Sequence, residues 1–129
     1  MKLKIGLALA AFTLAASPVL ARDYFVGDYA SKVGACPKQV NCSWFIEPNK
    51  GGKTYSVEFE AENWSTNTHL CKIKGTLNRQ GKRLVGALDD GQPIEIGFNN
   101  AGDLVVSKTT NRPCGLSLPL NGAYGIVAD

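Results

Sequence analysis

The sequence predicts an all-β domain, a small antiparallel β-barrel of about eight strands in meander order with two disulfides. Three observations predict it. Short runs alternate apolar and polar residues with period two, which marks half-buried strands. Turn-forming clusters recur at roughly the 8–12-residue spacing of a meander, and helical periodicity is almost absent beyond the first 21 residues. Closure is favoured because it removes exposed strand edges; a two-sheet β-sandwich is the alternative arrangement of the same strands.

The chain opens with "MKLKIGLALAAFTLAASPVLA". Lys2 and Lys4 form a basic head, an apolar run follows, and the segment closes on Val19-Leu20-Ala21. That form predicts a secretory signal peptide over 1–21. The apolar run is shorter than the roughly 20 residues of a spanning helix, and no cysteine follows the cleavage point to carry lipid. Residues 22–129 are therefore expected to be one exported, soluble domain without a membrane anchor. The alanine-rich leader suggests a bacterial source, which gives a periplasmic or secreted location and takes weight from the "NCS" and "NWS" glycosylation patterns. Removing the leader reduces 14 Lys+Arg to 12, against 11 Asp+Glu. A balance so near neutral excludes a strongly basic nucleic-acid binder.

The strand runs follow in order. "YFVGDYA" (24–30) is the first, and "SKVGACPKQVNC" (31–42) breaks the alternation, predicting a loop or a short helix over one barrel end. "CSWFIE" (42–47) turns at "PNKGGK" into "TYSVEFEAENW" (54–64), where Tyr55, Val57, Phe59 and Ala61 share one side. The Gly51-Gly52 turn makes this pair a hairpin. "HLCKIKGTL" (69–77) returns as "RLVGAL" (83–88). "DDGQ" leads to "PIEIGFN" (93–99), and "NAGD" to "LVVSKT" (104–109). "CGLSLPL" (114–120) and "AYGIVA" (123–128) close the series. The inward set Tyr55, Val57, Phe59, Ile94, Ile96 and Phe98 is bulky and apolar, which predicts a filled interior rather than a ligand cavity.

Cys36, Cys42, Cys71 and Cys114 read as two structural disulfides in an exported domain of this size. Three pairings are possible. The short "CPKQVNC" loop favours Cys36 with Cys42, leaving Cys71 with Cys114. Loop-closure entropy assigns about 2.4 kcal/mol to the first bridge and about 4 kcal/mol to the second. The spacings match no usual zinc pattern and there is a single histidine, His69, so neither metal nor cofactor is expected.

Catalytic constellations are thin, and no enzyme is expected. His69 sits in "STNTHLC" with no nucleophile on a sharp turn. Asp89 and Asp90 fit hairpin-turn chemistry better than paired acid and base, because adjacent strand residues point to opposite faces. Glu58, Glu60 and Glu62 form a solvated strand face. Lys72, Lys74, Arg79, Lys82 and Arg83 cluster on one hairpin without the aromatic residues that nucleic-acid binding would want. What remains is binding through loops, with Lys50, Lys53, Asn121, Gly122 and Tyr124 as candidate partner contacts.

An exported all-β domain of this size, with a terminal "CG…L-x-G-x-Y" pattern, resembles the periplasmic inhibitors of c-type lysozyme of Gram-negative bacteria. The resemblance implies a compact disulfide-held barrel whose partner is a c-type lysozyme, inhibited by a loop inserted into its active-site cleft. The family's S-G-x-x-Y string is absent here; the nearest stretch is Asn121-Gly122-Ala123-Tyr124, which lacks the serine and is one residue short. A barrel that binds a small molecule or glycan without catalysis is the alternative expectation.

Overall fold

The computed structural model describes residues 24–32, 36–116 and 120–127; the signal peptide expected over 1–21 lies outside them. Eight strands run in chain order: β1 (Gly27–Ser31), β2 (Val40–Pro48), β3 (Thr54–Asn63), β4 (Thr68–Gln80), β5 (Arg83–Leu88), β6 (Pro93–Phe98), β7 (Leu104–Ser107) and β8 (Gly122–Ile126). Each pairs antiparallel with its neighbour in sequence, and β8 pairs with β1 through Tyr29–Ile126, Ala30–Gly125 and Ser31–Tyr124. The sheet is a closed meander barrel, not a sandwich. Among the described residues no helix is long and apolar enough to cross a membrane.

Period-two patterning sets which side chains enter the barrel. On β3, Tyr55, Val57, Phe59 and Ala61 are buried, while Ser56 and Glu62 are exposed. Facing residues of β2 follow suit, with Trp44 paired to Phe59 and Cys42 to Ala61. The interior is occupied by Trp44, Tyr29, Tyr55, Tyr124, Phe25 and Phe59, all essentially inaccessible. An eight-stranded barrel is just wide enough for such side chains to fill. The bulky inward set is as expected except for Phe98, which is only partly covered and packs against Tyr24 at 4.6 Å between ring centroids. Two glycines let β4 and β5 approach closely: a Cβ on Gly75 would lie 3.0 Å from Leu88 Cδ2, and one on Gly86 would lie 3.0 Å from Leu77 Cδ2.

Several boundaries differ from the expectation, each for a local reason. The first strand begins at Gly27 rather than 24, because Phe25 crosses the barrel mouth to pack on Tyr55 and Phe98. The Tyr29 hydroxyl donates to the Phe25 carbonyl at 2.9 Å and holds it there. The described part of 31–42 forms a turn, not a helix, and β2 starts at Val40, which takes Cys42 into the sheet. β7 ends at Ser107, where Lys108 adopts a left-handed φ of 72°.

The strand expected over 114–120 does not form in its described part. Pro113–Gly115 is a 3-10 turn instead, with Leu116 N–H donating to the Pro113 carbonyl at 2.9 Å. Pro113 cannot donate to a ladder, and Cys114 takes the left-handed conformation (φ 63°, ψ 21°), which no strand accepts. Residues 117–119 lie outside the described set. Of the nine alternating runs, eight are strands among the described residues, and β8 closes the barrel onto β1.

Both disulfides are as preferred from the sequence, Cys36–Cys42 and Cys71–Cys114, with Cα separations of 6.2 and 5.3 Å. These lie within the range the bond requires. Because successive strands reverse direction, their connections alternate between two mouths. One mouth carries the β2–β3, β4–β5 and β6–β7 turns together with Phe25. The other carries the β1–β2, β3–β4, β5–β6 and β7–β8 connections and both disulfides.

Candidate functional site

The β2–β3 turn is the most sharply built feature of the first mouth. Asn49 organises it: its backbone N–H donates to the Thr54 carbonyl at 2.9 Å and its Nδ2 donates to Thr54 Oγ1 at 2.9 Å. Ser56 Oγ donates in turn to Asn49 Oδ1 at 2.7 Å. Gly51 (φ 95°) and Gly52 (φ 73°) then turn the chain through conformations that side chains rarely adopt. Lys50 and Lys53 are left exposed on either side of this glycine pair.

The neighbouring β4–β5 turn adds Arg79 and Lys82, and the Arg79 N–H donates to the Lys53 carbonyl at 3.1 Å, tying the two turns together. The Arg79 guanidinium stands 5.4 Å from the centre of the Phe25 ring and donates to the Tyr55 hydroxyl at 3.2 Å. Ion pairs among the described residues join Lys32 to Asp103, Lys72 to Glu58 and Glu60, Lys74 to Glu58, and Arg83 to Glu95. Lys50, Lys53, Arg79 and Lys82 have no carboxylate of the described residues within pairing distance. The result is a cationic rim on a rigid, filled support.

The remaining candidates fall elsewhere. Asn121 is committed to structure: its Oδ1 accepts from the Thr109 N–H at 3.0 Å and from the Thr109 hydroxyl at 2.6 Å, and its Nδ2 donates to the Thr109 carbonyl at 3.0 Å. Gly122 opens β8 opposite Val106. Both stand at the connection opposite the Lys50–Lys53 mouth, so the two candidate groups are not brought together.

Tyr124, expected as a partner contact, is a core residue instead. It is 0% exposed, its hydroxyl donates to the Leu120 carbonyl at 2.7 Å, and its ring packs edge-on to Trp44 with centroids 6.2 Å apart. Alternation on β8 aims it inward, so it cannot touch a partner. Burial pushes its phenol up to about 12, with the nearby Trp44 indole N–H opposing the shift. That N–H has no hydrogen-bond partner among the described residues.

A pH dependence follows. The unfolded chain ionises its tyrosine near 10 while the folded chain holds the proton to about 12. This contribution is intact below pH 10 and declines between 10 and 12 as the unfolded state alone loses its proton. The stability difference between the wild type and Tyr124→Phe should move by about 2–3 kcal/mol against the wild type across that window, enough to reverse the advantage of about 1–2 kcal/mol that its hydroxyl gives below pH 10. Denaturant unfolding of both proteins at several alkaline pH values measures it, and a constant difference contradicts it.

The acidic face of β3 is less free than expected. Glu58 and Glu60 stand opposite Lys74 and Lys72 and are half-buried by them. Partial desolvation, followed by a hydrogen bond with Glu58, raises the Glu60 carboxyl above its ordinary range, while Lys72 and His69 pull it down. Asp90 performs the expected turn role, accepting from the Gln92 N–H and side-chain amide. Glu60, Glu62 and His69 converge on the outer face, their ligating atoms all within 4.8 Å of one another. The sequence puts Glu60 and Glu62 on one strand face but leaves His69 apart from them, and the irregularity that unites the three has no sequence signature.

The depression between β2, β3 and β4, of about 360 Å³ and lined by Phe45, Ser56, Glu58 and Lys74, opens on the outside of the barrel. No family model, curated protein or solved structure matches this chain.

Proposed function

We propose that the domain is exported to the periplasm and acts by binding a protein, as an inhibitor of a c-type lysozyme that enters the enzyme's cleft with the β2–β3 turn. One observation carries this reading: a turn preorganised by Asn49 projects Lys50 and Lys53, neither of which has a carboxylate partner among the described residues. A lysozyme cleft holds two catalytic carboxylates, and ammonium groups donate charge-assisted hydrogen bonds to such acceptors. A rigid barrel loses little conformational entropy on docking, which favours a narrow plug. The two disulfides fit an oxidising compartment outside the cytoplasm. An interior small-molecule or glycan site is disfavoured, since aromatic side chains already fill the barrel.

The test is bacterial cell-wall lysis by a c-type lysozyme in the presence of the purified oxidised protein. Inhibition is expected, and the Lys50→Ala/Lys53→Ala double variant should weaken it at least about tenfold, the value of one lost charged hydrogen bond. Unslowed lysis at a several-fold molar excess overturns the function. Inhibition untouched by the double variant overturns the assignment to this turn.

A further inference from the structure

The geometry points to a divalent transition-metal site on the outer face of the β3–β4 hairpin, formed by Glu60, Glu62 and His69, with zinc as the best-matched ion. The site arises from a break in register. Pairing runs regularly to Ala61–Cys71 and then shifts, so that Glu62 faces His69 rather than Leu70. In an unbroken ladder the alternation that aims Cys71 inward would aim His69 inward as well. The extra residue in β4 instead brings the imidazole beside two outward carboxylates, the kind of re-aiming that β-bulges produce.

The donor set suits the ion. Glu60 and Glu62 are two residues apart on one strand face, and His69 crosses from the adjacent strand, so the three donors come from two paired strands. Their ligating atoms lie within 4.8 Å of one another. Zinc bonds of roughly 2.0–2.2 Å bring ligands to about 3.5 Å apart, a closure that rotation of the exposed Glu62 and His69 side chains supplies. Two carboxylates balance the charge of a divalent ion, and the imidazole selects zinc, copper or nickel over magnesium and calcium. Three protein ligands leave coordination positions for water or a partner's donor. Lys72, 3.8 Å from Glu60, is the competing cation.

This site lies at the mouth opposite the Lys50–Lys53 turn and does not depend on the inhibitor reading. Calorimetric titration of the untagged, oxidised protein with zinc chloride tests it. One equivalent should bind, and magnesium should not compete. His69→Gln and Glu62→Gln should each weaken binding at least about tenfold, while Lys72→Ala should leave it equal or tighter. Circular dichroism checks that each variant folds, and a shift of the His69 imidazole resonances on adding zinc reports the ligand directly. Absence of binding at millimolar zinc overturns the site, as does equal affinity in the wild type and both folded ligand variants.

Discussion

Replacing Cys71 and Cys114 together by serine is expected to remove about 4 kcal/mol of stability, the closure entropy of the long loop the bridge ties off. A domain of this size has only about 5–15 kcal/mol to lose, so the variant should unfold at a midpoint roughly 15–30 °C lower. The cost is concentrated in one place. Cys71 lies in β4, whereas Cys114 lies in the long β7–β8 connection, and this crosslink anchors the 3-10 turn that brings Leu116 onto the core. The matching Cys36→Ser/Cys42→Ser variant removes the bridge that closes only a short loop and should cost about 2.4 kcal/mol. Thermal unfolding followed by circular dichroism measures both. Equal losses, or a smaller loss for the long bridge, contradict the entropic account.

Tyr124→Ala is expected to destabilise the domain by about 3–5 kcal/mol, the range for truncating a large buried aromatic residue. Its ring fills the barrel beside Trp44, and its hydroxyl satisfies the Leu120 carbonyl. Tyr124→Phe keeps the ring and loses only that hydrogen bond, so about 1–2 kcal/mol should go. Denaturant midpoints of the two variants separate cavity from hydrogen bond. If Tyr124→Ala unfolds like the wild type, the residue is not in the core. Under conditions where Tyr124→Phe is folded, it should match the wild type in the lysis assay of the proposed inhibition, because the side chain has no access to a partner.

Much of the barrel was legible because the cause was local. Tyr55, Val57, Phe59 and Ala61 alternate with polar residues over one strand, and only a sheet with one wet face satisfies that pattern. The Gly51-Gly52, Gly81 and Asp90-Gly91 turns mark hairpins whose length leaves neighbouring strands no other pairing. The short loop between Cys36 and Cys42 favours its own bridge for the same reason.

The candidate site was less legible. Lys50 and Lys53 were visible as turn residues, but that no carboxylate of the described residues pairs with them emerges only once Lys72 and Lys74 are seen to take up Glu58 and Glu60 across β3 and β4. Tyr124 sits between glycines in a stretch that reads equally well as turn or strand.

By itself, then, the order of residues determined the strand-and-turn rhythm, the filled interior and the preferred cysteine partners, since each depends on neighbours a few positions apart. Tertiary structure alone decided that Pro113–Gly115 turns instead of extending, that Tyr124 points into the core, and that a one-residue slip turns His69 toward Glu60 and Glu62. Those outcomes depend on strand register around a closed sheet, where a shift of one residue reverses which face every side chain meets.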